Sequence, residues 1–138
     1  MAAYTKFQPF VEYLTEKVHN LGSDTLTVAL TNTAPSAANS VLADITQISY
    51  TNCSARALTI SSSAQTSGTY KLVIADLVLT ASGGSVGPFR YVVVYNDTPT
   101  SPADPLICYF DYGSSITLAA GETLTIDFDG TNGLLQLA

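Results

Sequence analysis

The chain has 138 residues, of which 46% are hydrophobic and 12% charged, with a formal net charge of −6 and a pI near 4.3. That length suits one domain spanning residues 1–138 with a core that needs no disulfide or metal staple, and eight Tyr with five Phe exclude a disordered chain. The few cations (Lys6, Lys17, Arg56, Lys71 and Arg90) are scattered, so the chain lacks the basic stripe that a phosphate backbone or an anionic membrane requires.

Residues 5–21 carry a helical pattern. Phe7, Phe10, Val11, Leu14, Val18 and Leu21 recur at spacings of three and four, opposite Gln8, Glu12, Thr15, Glu16 and Lys17. Pro9 fits the first turn and Gly22 supplies a stop. An amphipathic helix of this kind must cover something apolar, either its own sheet or a partner.

After Gly22 the period changes to two. Leu26, Val28 and Leu30 alternate with Thr25, Thr27, Ala29 and Thr31, which predicts a half-buried strand. Residues 32–40 read as a loop and 41–50 give no clear pattern. A strand is expected at 57–62 and a polar turn at 64–68. Residues 69–81 read as one long strand whose change of phase at Ala75-Asp76 predicts a β-bulge. Gly83 and Gly84 turn the chain. The run Phe89 to Tyr95 is apolar on both faces and belongs in the middle of a packed sheet.

Three prolines and two aspartates make 96–105 a loop. Strands are expected at 106–112 and 115–119, interrupted at Gly113-Ser114, then at 123–129 and 134–137, with a turn at 130–133. Eight or nine strands at this spacing predict a mainly β fold, an antiparallel β-sandwich of jelly-roll-like form with one N-terminal amphipathic α-helix.

No residue set carries recognisable catalysis, and no enzyme activity, cofactor or metal is expected. Gly83-Gly84-Ser85-Val86-Gly87 has the letters of a nucleophile elbow, but a strand rather than a helix follows, and the single histidine, His19, lies far upstream. His19 near a helix C-terminus reads as a residue that complements the helix dipole. The segment from Asp127 to Gly133 begins like a calcium loop, yet the chain ends before the bidentate glutamate such a loop needs. It reads as a turn capped by its own Asp and Asn, with a β-turn calcium site as the alternative. Glu12, Glu16, Asp76, Asp104, Asp111 and Glu122 could supply paired carboxylates for glycoside hydrolysis, but there is no Trp platform for a sugar. Asn52 and Asn96 fit the glycosylation pattern. Cys53 and Cys108 do not form a disulfide framework and are expected to be reduced. The N-terminus lacks an apolar signal core, and no run approaches the ~20 apolar residues of a membrane span, so synthesis and retention in a cytoplasm are expected.

Lys6-Phe7, Phe10-Val11-Glu12 and the stretch from Val18-His19-Asn20-Leu21-Gly22 to Thr33-Ala34-Pro35 resemble small virion structural proteins of tailed bacteriophages. So do Gly87-Pro88-Phe89-Arg90-Tyr91, Tyr95-Asn96-Asp97, and the closing stretches from Phe110 to Leu118 and Asp127 to Gly133. The resemblance spans nearly the whole chain. It implies a virion component made in the host cytoplasm, a capsid decoration or cement protein above all. Its partners would be the major capsid protein or other virion proteins, together with further copies of itself as a dimer or trimer. A tail, neck or fibre-associated component and a carbohydrate-binding module are the alternatives. The candidate contact residues are Tyr4 and Phe7 in the N-terminal segment and Asn96, Asp97, Pro99, Pro102 and Asp104 in the proline-rich loop.

Overall fold

The structure, a computed structural model, describes residues 2–138. It is mainly β, with antiparallel sheets and one α-helix. The strands are β1 (Ala3–Lys6), β2 (Leu26–Thr31), β3 (Ile60–Thr66), β4 (Thr69–Ile74), β5 (Leu77–Thr80), β6 (Val86–Asn96), β7 (Leu106–Leu118), β8 (Thr123–Ile126) and β9 (Leu135–Leu137); the helix α1 is Gln8–Thr15. One layer is a four-stranded sheet in the order β1-β7-β6-β2. The other is divided between the β3-β4-β9 sheet and the β5-β8 pair. A shared core of Val28, Leu30, Val92, Val94 and Cys108 from the first layer and Leu72, Ile74 and Leu79 from the second holds the layers together.

The helix is shorter at both ends than the apolar stripe over 5–21 suggests. Pro9 sits at its first positions, and Phe7 before it is extended (φ −71, ψ 139), which leaves Ala3–Lys6 free to pair with β7. The helix ends at Thr15, not at Gly22. Lys17 adopts φ 69, and the Val18 N–H closes the end by donating to the Tyr13 carbonyl at 2.9 Å. Beyond it, Asn20 and Asp24 give the backbone competing partners. The Asn20 side chain accepts from the Gly22 N–H and the Asp24 carboxylate from the Asn20 N–H. Val18 and Leu21 therefore keep their helical spacing without forming a helix.

Strand β2 is buried on both faces, not one. Leu26, Val28 and Leu30 face the inter-layer core, while Ala29 joins Phe7, Ile45, Val93, Tyr95 and Leu106 in a second cluster on the outer face. The segment around α1 and the 3-10 turn Leu42–Asp44 thus covers the sheet's own back. Strand β6 lies between β7 and β2, as its two apolar faces require.

Four local expectations change. Residues 56–58 lie beside β2 (Val28 N–H to the Arg56 carbonyl, Leu58 N–H to the Leu26 carbonyl), so β3 begins only at Ile60 and runs through the expected polar turn. The turn shrinks to Ser67-Gly68, whose positive φ values (50 and 84) suit a two-residue hairpin. Ala75-Asp76 is not a bulge within one strand but the crossing from the β3-β4-β9 sheet to the β5-β8 pair. Gly113-Ser114 does not end a strand: β7 is continuous. Between the pairs Phe89↔Ile116 and Tyr91↔Asp111, β6 advances two residues and β7 five, and the excess bulges outward around Tyr112.

Candidate functional site

A row of side chains crosses the inner face of the four-stranded sheet. The strand registers align Tyr4 of β1 with Phe110 of β7, Phe110 with Val92 of β6, and Val92 with Leu30 of β2. Leu30 is 0% exposed and Val92 7%, Phe110 is half-buried, and Tyr4 is 44% exposed. The second layer therefore covers the β2 side of the sheet and leaves the β1 side uncovered. The result is a groove of about 790 Å³ between the layers, floored by Tyr4, Val92 and Phe110 and walled by residues 124–129, Gly133 and Leu134.

The groove is aromatic. The Tyr4 and Phe110 rings meet edge to face at 5.4 Å, and Phe110 meets Phe128 at 6.0 Å. Burial, then the neighbouring Cys108 thiol, pushes the Tyr4 hydroxyl above the usual phenol range, so it stays neutral. Cys108 is itself buried and free, and burial raises its thiol as well. Cys53 is free too. The bulge in β7 sets Tyr112, 54% exposed, at the rim. The charged side chains that line the groove are Asp127 and Asp129.

The positions singled out in the sequence fall in different places. Tyr4 is in the groove. Phe7 is fully buried in the outer-face cluster, its ring 5.2 Å from Tyr109, and Asn96 is also fully buried. Both are structural residues in this fold, not surface contacts: Phe7 sits between β1 and α1, and Asn96 is the last residue of β6, paired with Leu26 of β2. Asp97 is exposed, and Pro99, Pro102 and Asp104 are half-buried on the same loop, away from the groove. The loop is pinned at its base: the Asp97 N–H donates to the Thr25 carbonyl, and the Thr25 N–H to the Thr98 hydroxyl. Burial and then the Asp97 charge raise the Asp104 carboxyl. Phe110, Tyr112, Leu124, Phe128 and Leu134 were not singled out from sequence. Their only signal was the alternation of Phe110 with Tyr112 and Leu124 with Ile126, which marks strands without marking a gap between them.

The two motifs with catalytic or metal-binding letters lie in connections next to strands. Ser85 is exposed and runs directly into β6, with no helix behind it. The Asp129 carboxylate accepts from the backbone N–H groups of Asn132 and Thr131 at 2.8 Å each and from the Asn132 side chain at 2.9 Å, bonds that hold it below the usual carboxylate range. It caps its own turn. Among the described residues no three His, Cys, Asp or Glu side chains gather as a metal site, and no helix is long and apolar enough to cross a membrane.

His19 is buried between loops, not displayed at a helix end. Its Nδ1 lies 3.1 Å from the Asn96 side-chain nitrogen, which also donates to Asp24 at 2.7 Å. Its ring packs 5.0 Å from Phe10, and its Nε2 is buried with no partner. Because the Asn96 amide donates to Nδ1, the proton of the neutral ring sits on Nε2. Burial lowers the His19 pKa to about 4, against a smaller opposing pull from Asp24. This is a clasp between residues 19–24 and the end of β6.

Comparison with known proteins finds no matching family model, no matching curated protein and no matching solved structure.

Proposed function

We propose that this chain is a structural protein of a tailed-phage particle, a capsid decoration or cement protein that docks on the assembled shell and uses the aromatic groove as its anchor. The observation that carries this reading is the graded exposure along Tyr4, Phe110, Val92 and Leu30: an apolar row the protein's own second layer does not finish covering. The sequence resemblance supports it, as does the low charge of the surface, which makes desolvation on docking inexpensive.

Thirteen residues line the groove, fewer than the roughly 20–30 a side of a standard interface. It therefore serves as a hot spot within a wider contact, and repetition around the shell adds strength through symmetry and multivalency. Self-association as a dimer or trimer, straddling a symmetry axis, belongs to the same proposal.

Particles stripped of this chain and titrated with purified protein provide the test. Tyr4→Ala and Tyr112→Ala should each weaken rebinding about 30-fold, the loss of roughly 2 kcal/mol expected of an aromatic hot spot. Full-strength binding by both variants would remove the groove from the interface. Copy number separates the shell from the tail or neck: a shell role predicts on the order of hundreds of copies per particle, and about a dozen places the chain in the tail. A second reading draws on the two exposed tyrosines near Asp127 and Asp129, a combination that also suits a carbohydrate-binding module. A reproducible glycan-array signal abolished by Tyr112→Ala would favour it.

A further inference from the structure

The wall of the groove has a property that its floor lacks. Residues 124–129 line it without a break, although side chains on a strand alternate between faces. Consecutive lining means that the groove is bordered by the edge of β8 and not by one of its faces. Strand β8 pairs only with β5, through Leu77↔Ile126, Val78↔Thr125, Leu79↔Leu124 and Thr80↔Thr123.

The direction of its free backbone groups follows from the flanking bonds. The Ala81 N–H donates to the Glu122 carbonyl on the β5 side, and the Phe128 N–H donates to Asp76 on that same side. In an antiparallel ladder hydrogen-bonded positions alternate, so the even positions Leu124 and Ile126 face β5. The odd positions Thr125 and Asp127, which line the groove, turn their N–H and C=O groups toward it.

We infer that the β8 edge and the groove beside it form a strand-acceptor site, which takes an extended segment of a different protein bearing alternating apolar residues and at least one lysine or arginine. Backbone pairing at Thr125 and Asp127 supplies the affinity, and the Tyr4–Phe110 floor receives alternate apolar side chains. Charge selects the occupant. The titratable groups lining the groove, besides the tyrosines, are Asp127 and Asp129, and the chain carries a net charge of −6. A second copy would bring acid against acid at this edge, whereas a basic segment is complementary. The inference rests on the reading of the groove as a protein-docking surface and names the form of its occupant.

The probe is a synthetic peptide that alternates valine with threonine and ends in lysine on both sides, added to the isolated full chain and followed by backbone amide exchange. The expected result is new protection at Thr125 and Asp127, with little change at Leu124 and Ile126, which already lie in the ladder. Thr125→Pro removes the outward N–H while sparing the β5 side, and should weaken peptide binding at least about tenfold. Asp127→Asn should weaken it several-fold and blunt its salt dependence. No protection at the odd positions with millimolar peptide, or self-association of the chain through this edge, would overturn the inference. Should Thr125→Pro fail to fold, exchange on the unaltered chain still decides. The two proposals fail separately: protection at Thr125 without binding to shells removes the virion role alone, and shell binding without protection removes the strand-acceptor site alone.

Discussion

Replacing Gly133 with alanine will destabilise the fold by about 3–4 kcal/mol, a large share of the stability of a domain of this size. Gly133 has φ +81, which costs an L-residue about 1–2 kcal/mol on its own. The added Cβ would also lie 2.5 Å from the Leu72 carbonyl oxygen, a backbone atom that cannot step aside as a flexible side chain can. The next residue, Leu134, donates its N–H to that same carbonyl at 2.7 Å and is buried in the core. Relieving the clash therefore loosens the attachment of β9 to β4 and the wall of the groove. Gly113 is the control: it has φ +100 but open space around its missing side chain, so Gly113→Ala should cost only the about 1–2 kcal/mol of the backbone conformation. Urea denaturation of the two variants checks the difference. Equal costs would mean that close approach at Gly133 contributes nothing.

Acidification from pH 7 to pH 4 will remove up to about 3 kcal/mol of stability through His19 alone. The sign follows from the direction of the shift. His19 titrates near 4 when folded against an ordinary value of 6.5. Above pH 6.5 the ring is neutral in both states and costs nothing. Between 6.5 and about 4 the unfolded chain binds a proton that the folded chain refuses, so unfolding is favoured progressively. Asp44, Asp111 and Asp129 have depressed values from an ordinary 3.8, so their contributions persist through this window and are lost only at lower pH. Asp104, raised by burial and Asp97, acts weakly the other way as it takes up its proton. His19→Leu should flatten the stability profile between pH 6.5 and 4.5 while retaining the Asn96–Asp24 bond. An unchanged slope in that variant would place the acid sensitivity elsewhere.

Much of the fold was legible because burial on both faces leaves a compositional mark. The run Phe89 to Tyr95 is buried throughout except at Arg90, which reaches solvent and pairs with Asp111, and it lies at the centre of the four-stranded sheet. The same logic misjudged β2, where Thr27, Ala29 and Thr31 read as a wet face. Small and β-branched residues are equally suited to lying under Phe7 and Ile45. The length of α1 was overestimated because Val18 and Leu21 keep helical spacing. Periodicity does not register the side-chain bonds of Asn20 and Asp24 that divert the backbone. The crossing at Ala75-Asp76 looked like a bulge because a phase change reports a break in alternation, not which sheet the chain joins next.

The groove was hidden for a related reason. Tyr4 was singled out as a contact, but its partners Phe110, Leu124 and Phe128 lie more than a hundred positions away. They are brought together by strand register and by a second layer that stops short of β1. Neither property is written in any local stretch. Phe7 and Asn96 misled in the opposite sense, since an aromatic near a terminus and an asparagine at a loop entrance are both common on surfaces. Here they close the outer cluster and the His19 clasp.

The most direct test is an electron-microscopy reconstruction of an intact tailed-phage particle that carries this chain. Under the proposed virion role, density for it is expected on the shell in symmetric copies, with Tyr4, Phe110 and the β8 edge turned toward an extended segment of a neighbouring protein. Particles without the chain, or copies whose groove faces open solvent, would contradict it.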